Sequence, residues 1–226
     1  MFTSDPAMIS PERLDAMQLS WVRLMGELGV SPASAYPVFD QLVEAYQQPH
    51  RYYHTLEHLA EMFRVIGRLA PLCRNPVAVQ LAIWFHDVVY DPKVQDNECR
   101  SAAKVIEWLQ PLGLPPELLD QVAELVNATA HMNGIEPPTD PNVIVLLDAD
   151  LAILGASEDR YQRYAADIRK EYAHVPNADY RKGRISVLNR FLARPRLYHT
   201  AMMYDEGDAA ARRNLRAEME QLQSPN

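Results

Sequence analysis

The stretch LAIWFHDVVYDP, residues 81–92, ends an apolar run in an adjacent His86 and Asp87. A lone histidine at a helix end is readily accounted for by a backbone carbonyl or by the negative helix terminus. A carboxylate beside it changes the chemistry, because burying both groups is costly unless something positive compensates them. A divalent metal ion does so, since neutral imidazole nitrogen and carboxylate oxygen are ordinary ligands for zinc, iron or manganese. Two ligands are too few for a site, so others must come from elsewhere in the chain.

Of seven histidines, five fall between residues 50 and 131: His50, His54, His58, His86 and His131. In RYYHTLEHLAEM, residues 51–62, His54 and His58 stand four apart, which puts them on one helical face if the helix begins early. The zinc-protease signature HExxH is missing. If Thr55 instead caps the helix, His58 lies in its first turn as a ligand on a rigid element, and His54 lies in the preceding loop as an orienting or substrate-facing group; this second reading is adopted. LLDADLAILG, residues 146–155, supplies two carboxylates, Asp148 and Asp150, inside an otherwise apolar run. Positions i and i+2 point to different sides of a helix, so one of the two is expected to reach a common site.

Helices must position these groups. Ser10-Pro11-Glu12 combines an N-cap, a first-turn proline and an acidic first-turn residue, and opens a segment with Leu14, Met17, Trp21, Leu24, Met25 and Leu28 at helical spacing. Gly29 closes it. Ser31-Pro32 repeats the signal before Tyr36, Phe39, Leu42 and Tyr46. Thr55 precedes a period through Leu59, Met62, Phe63, Ile66 and Leu69, and Pro76 opens a buried helix to about Phe85. Further helical periods run over 97–109, 116–129, 142–154, 159–172, 179–192 and 208–222. Asn142–Val145 has strand character, but the apolar continuation to Leu154 favours a buried helix. Residues 133–141, NGIEPPTDP, are too short a loop to divide domains. The expectation is one all-α domain of about ten helices spanning 1–226, with 1–9 and 223–226 as flexible tails.

Composition narrows the partners. The chain carries a net charge of −8 without a basic block, which argues against a nucleic-acid polymer or an anionic membrane surface. An acidic protein that binds a phosphate ester needs local positive charge, which a metal can supply. Cys73 and Cys99 form no disulfide framework and no CxxC pair. With no signal peptide and no apolar run of membrane-spanning length, a cytoplasmic location is expected, as a monomer or homodimer.

The order His58, His86-Asp87, then an Asp in an apolar helix resembles the HD superfamily of metal-dependent phosphohydrolases. The segments RYYHTLEH, WFHDVVYDP, DNECRSA, DADLAILG and RLYHTAMMYDEGDAAARRNL together look like one bacterial branch of predicted HD hydrolases, so the likeness covers roughly residues 10–222. It implies an HD-type helical bundle in which His58, His86 and Asp87 are metal ligands. Ala149-Asp150-Leu151 matches the register of the last ligand in better-known HD enzymes, making Asp150 the fourth ligand and Asp148 its neighbour, or the ligand if the register is shifted. HDVVYD also resembles the HDTVED stretch of HD enzymes that cleave guanosine tetraphosphate. Tyr90 here replaces their Glu, a departure that counts against alarmone hydrolysis, while Asp91 is kept as a group that handles a proton.

The resemblance implies hydrolysis of a nucleotide or another small phosphorylated metabolite with a bound divalent ion (Mn, Co, Ni, Zn, Mg or Fe). Asp91 or Glu98 would orient the attacking water, although Glu98 is equally suited to cap a helix start. His54 and His131 would stabilise charge on the phosphate; His131 also suits a second metal or simply a helix C-terminus. Arg51, beside the histidine stretch, and Arg181, Lys182 and Arg184 are the cations available to an anionic substrate. The tail from Asp205 reads as an amphipathic packing helix. Two rivals stand beside the hydrolase: a non-catalytic, metal-stabilised module that binds a nucleotide or partner, and a di-iron oxygenase built on the same scaffold.

Overall fold

The start signals in the sequence are used as capping interactions. Ser10 Oγ accepts from Arg13 N, Ser31 Oγ from Ser34 N and Asn75 Oδ1 from Ala78 N, each with a proline in the first turn. The computed structural model describes residues 9–130 and 138–224. His131 and most of the expected 133–141 loop lie outside the described residues.

The helices are α1 (Pro11–Glu27), α2 (Pro32–Tyr46), α3 (Leu56–Leu69), α4 (Pro76–Phe85), α5 (Asn97–Leu109), α6 (Pro116–Ala128), α7 (Pro141–Asp150), α8 (Glu158–Glu171), α9 (Asn177–Ala193), α10 (Ala201–Met203) and α11 (Ala209–Gln223). A π-turn, Tyr204–Asp208, joins the last two into one helical run. No strand occurs among the described residues, and the expected all-α bundle is observed. Gly29 ends α1 with φ of 78°, a backbone state that an L side chain adopts only with strain. Among the described residues no helix is long and apolar enough to cross a membrane.

Helix α4 is the axis of the core. Ala78, Val79, Leu81, Ala82, Ile83, Trp84 and Phe85 are all buried, which explains a sequence that is apolar on every face. Trp84 meets Trp21 and Phe39 edge-on, with ring centroids 5.6 and 5.9 Å apart, and Phe63 at 5.2 Å. Burial of a large apolar side chain contributes about 1.5–3 kcal/mol, so this cluster fixes the end of α4 firmly. Tyr46 adds a polar tie: its hydroxyl donates to Trp84 O at 3.1 Å and accepts from Asp87 N at 3.3 Å. Helices α3 and α7 both pack against α4.

Three expectations need correction. The helix beginning at residue 141 stops at Asp150, and Leu151–Gly155 tightens into a 3₁₀ turn, where the periodicity predicts helix to Leu154. Tyr198 sets that turn: its hydroxyl donates to Leu151 O at 3.0 Å, and a Cβ on Gly155 would lie 2.9 Å from the Tyr198 hydroxyl oxygen. Ile9, expected in a tail, is buried against the core. The helical run at the C-terminus begins at Ala201 rather than 208, with Thr200 Oγ1 accepting from Met203 N.

Candidate metal centre

Four side chains converge from three helix ends. His58 lies in the first turn of α3, His86 is the C-cap of α4 with Asp87 next to it, and Asp150 is the last residue of α7. His58 Nε2 is 3.3 Å from His86 Nε2 and 3.1 Å from Asp150 Oδ1. His86 Nε2 is 3.0 Å from Asp87 Oδ2 and 3.7 Å from Asp150 Oδ1. Both histidines are buried. His58, His86 and Asp87 together form a group whose ligand atoms could hold one metal ion.

The donor set fits a cation. His86 Nδ1 lies 2.9 Å from Ile83 O, so it carries the hydrogen, and Nε2 of the neutral ring turns a lone pair toward two carboxylates. Nitrogen and oxygen acceptors facing one another in a buried site repel unless a positive charge sits among them. Without a metal that charge is a proton: burial opposes the His86 cation, but Asp87 and then Asp150 outweigh it and raise His86 to about 9. Asp87 responds in the opposite sense, as His86 and His54 overcome the effect of burial and hold its carboxyl well below the usual range.

Asp148, the alternative ligand, is turned to another task. Its Oδ1 accepts from His199 N at 2.7 Å and its Oδ2 from Thr200 N at 2.8 Å, anchoring the segment that leads into α10. The two aspartates do point to different sides of α7, as their spacing requires, and Asp150 is the one that meets the histidines.

His54 is held beside the cluster by Glu171, at the C-terminal end of α8. Glu171 Oε1 accepts from the backbone N–H groups of Tyr52, Tyr53 and His54 at 2.8, 2.8 and 3.0 Å. Its Oε2 accepts from His54 Nδ1 at 2.7 Å and Tyr90 Oη at 2.8 Å. Burial alone would raise the Glu171 carboxyl; His54 and these donors instead lower it to about 2. Because Glu171 takes the proton side of Nδ1, His54 turns Nε2 toward Asp87, 3.9 Å from Oδ2. Burial disfavours a charged His54, yet Glu171 and Asp87 prevail and its pKa rises. Tyr90 stacks on the His54 ring at 4.2 Å. Burial, reinforced by Glu171, keeps the Tyr90 phenol protonated, so it remains a donor.

Thr55 occupies the N-cap position of α3, as expected, but makes no side-chain capping bond; the Glu171 carboxylate secures this entry by taking the preceding amides. Sequence reasoning missed Glu171. Its signal was present, because the buried stripe of α8 is Tyr161, Tyr164, Ile168 and Glu171, a carboxylate at an apolar position.

Arg51 is not placed to receive a substrate. It is buried, and its guanidinium donates to His54 O at 3.2 Å, Asp87 O at 2.7 Å and Val88 O at 3.0 Å. It ties the loop before α3 to the segment after α4, which holds two candidate ligands in register. Arg184 is likewise engaged, forked on Glu218 at 2.7 and 3.0 Å, and Arg181 donates to backbone carbonyls near the C-terminus. Lys182 is exposed on α9.

Asp91 and Glu98 are not brought into the cluster. Asp91 Oδ1 accepts from Lys93 N at 2.9 Å, and its backbone pairs with the Asn97 side chain, so it shapes the turn before α5. It lines a separate, wider groove of about 810 Å³ with His50, Tyr90 and Glu171. Glu98 occupies the first turn of α5, where a carboxylate complements the positive helix end. His50 Nε2 lies 2.8 Å from Tyr90 O.

A smaller cavity of about 230 Å³ adjoins the cluster itself, with His58 and Asp150 in its wall beside Tyr53, Arg64, Arg68 and Arg160. Glu206 and Gly207, from the tail expected to pack, and Met203 form part of the same wall.

No family model, curated protein or solved structure matches this chain.

Proposed function

We propose that the protein is an HD-type metal-dependent phosphohydrolase acting on a small phosphorylated substrate. The observation that carries this reading is the convergence of His58 Nε2, His86 Nε2, Asp87 Oδ2 and Asp150 Oδ1, with the His86 tautomer fixed by Ile83 O so that its free lone pair faces the carboxylates. These four residues would hold a divalent ion of the Mn, Co, Ni, Zn, Mg or Fe type. When bound, such an ion lowers the pKa of a water and polarises a phosphoryl oxygen.

The chain's own residues supply the rest. Glu171 fixes the orientation of His54 and favours its imidazolium, leaving an N–H at Nε2 directed to the ligand side of the site. That group can donate to a phosphoryl oxygen or to the departing oxygen, in the role of a positioned acid. Tyr90 and Glu171 cover the other edge of the ring, so His54 has one proton to offer and one direction in which to offer it. Arg51 and Tyr46 keep the backbone around Asp87 in place.

The test is to strip the protein with chelator, reload it with each of the six ions, and assay a broad panel of nucleotides, sugar phosphates and other phosphomonoesters. Hydrolysis with at least one ion, abolished in His86→Ala, is the expected result. Turnover of no ester with any ion would overturn the reading. A metal-dependent rise in Tm accompanied by ligand binding without turnover would point to the non-catalytic module instead.

A further inference from the structure

We infer that the cavity beside His58 and Asp150 is a subsite for a second anionic group, so that the substrate is a compact phosphate ester bearing a carboxylate or another phosphate, rather than a nucleotide recognised through its base. This rests on the phosphohydrolase reading, and the experiment below separates the two.

The cavity's position follows from α3. His58, Glu61, Val65 and Arg68 follow one another along the lining side of the helix with Arg64 at its edge, and Arg64 and Arg68 stand about 9 and 15 Å beyond His58 along the axis at 1.5 Å per residue. Both arginines line the same cavity as His58 and Asp150. A substrate with its reacting phosphate at the ligand cluster would therefore extend past Asp150 toward these arginines.

The charges in the wall are not equally available. Arg160 is forked on Glu61 at 3.1, 2.9 and 3.0 Å. Arg68 is forked on both oxygens of Glu206 at 2.7 Å, but the two side chains are 43% and 54% exposed. An exposed, solvent-screened pair of this kind contributes little, so an incoming anion can take the place of Glu206. Arg64 is exposed and has no carboxylate partner among the described residues. Guanidinium forks match carboxylate and phosphate oxygens in geometry as well as charge.

Size and lining make this cavity unsuited to a base. At 230 Å³ the cavity is below the roughly 300–1,000 Å³ of sites for drug-sized ligands. Its aromatic residues, Tyr53 and Tyr198, are both buried in the core and offer no open ring face for stacking. The Tyr53 hydroxyl lacks a hydrogen-bond partner among the described residues, so the same wall contains an unsatisfied polar group.

The experiment compares 3-phosphoglycerate and fructose 1,6-bisphosphate with glycerol 3-phosphate and AMP, using the full chain loaded with whichever ion supports turnover. Calorimetric titration of the same four compounds gives a readout independent of hydrolysis. We expect at least one of the two doubly anionic compounds to exceed glycerol 3-phosphate and AMP by about tenfold in kcat/KM. Comparing the two shows whether a carboxylate or a phosphate is preferred. Arg64→Ala and Arg68→Ala should each reduce that preference about tenfold through KM. Glu206→Gln, which frees Arg68, should lower KM for the doubly anionic compound, a gain that misfolding cannot produce. Equal kcat/KM across all four compounds, or arginine variants that affect them all alike, would overturn the subsite. If none of the four compounds is hydrolysed, the broad ester panel decides the phosphohydrolase reading; tight calorimetric binding of a doubly anionic compound, lost in Arg64→Ala, would still support the subsite, and no such binding would overturn it.

Discussion

Two buried acidic centres flank His54 and are satisfied in opposite ways. Around Glu171, five donors from residues 52, 53, 54 and 90 occupy the carboxylate, and all of them belong to the protein. Around His86, Asp87 and Asp150, carboxylate oxygens face two imidazole nitrogens, His58 Nε2 and His86 Nε2, that lie only 3.3 Å apart. A buried carboxylate completed by the chain's own N–H and O–H groups is a structural fastener. One left facing other lone pairs is a place for a cation from outside. Asp148 and Asp150 repeat the contrast within two residues of one helix, the first closed by two backbone amides and the second open to the histidines.

The sharpest way to break this comparison is Glu171→Ala. It leaves three backbone amides, the His54 ring N–H and a phenol without their acceptor, and removal of one partner from a buried charged network costs about 3–5 kcal/mol. Denaturant unfolding should show that loss, together with weakened turnover because His54 loses its orientation. A variant as stable as the parent would mean that Glu171 is not the fastener described.

Acid tests the same group without mutation. The Glu171 carboxyl is held at about 2 in the folded protein against an ordinary 4.5. Its contribution is therefore complete above pH 4.5 and is lost as pH falls from there toward 2, a change of about 3 kcal/mol. His54, whose pKa is raised, acts in the opposite sense and loses its share as pH rises through that elevated value. Unfolding midpoints between pH 6 and 3 should fall more steeply for the parent than for Glu171→Gln.

Metal addition should distinguish the open centre from the closed ones. A cation at about one hundred times its Kd stabilises the folded state by about 2.7 kcal/mol. The parent should show that gain by calorimetric or spectroscopic melting, and Asp150→Ala should lose most of it. Asp148→Ala should lower stability by about 1–3 kcal/mol, since two buried amides lose their acceptor, while still gaining stability from metal. If the two variants exchange these behaviours, the ligand assignment is reversed. The smallest expected effect is Tyr90→Phe, which removes one of five donors from Glu171 and should cost about 1 kcal/mol with metal affinity unchanged.

Much of the fold was legible because its signals are local. Proline and serine, threonine or asparagine at helix starts, Gly29 at a helix end and the all-round apolar face of α4 each follow from a few neighbouring residues. The candidate ligands were legible for a related reason: a His-Asp pair closing a buried helix, and two aspartates inside an apolar run, conflict with burial unless they have a purpose, and the HD-like pattern singled out His58 and Asp150. Arg51 and Asp91 were misread because both stand beside the histidine and aspartate motifs in sequence, although neither takes part in the cluster in space. Asp91 completes a local turn, and Arg51 reaches 36 residues along the chain to Asp87 O.

The amino-acid sequence by itself determined that this chain forms a helical bundle, because periodicity and capping act over short spans, and it marked His58, His86, Asp87 and one of Asp148 and Asp150 as candidate ligands through the cost of burying charge and the HD-like pattern. Only the tertiary structure decided which aspartate turns inward, that Arg51 is a clamp, and that Glu171, 117 residues from His54, directs its ring. Those outcomes depend on which backbone amides and guanidinium groups lie within about 3 Å of a carboxylate or carbonyl, and only the packing of distant helices fixes that.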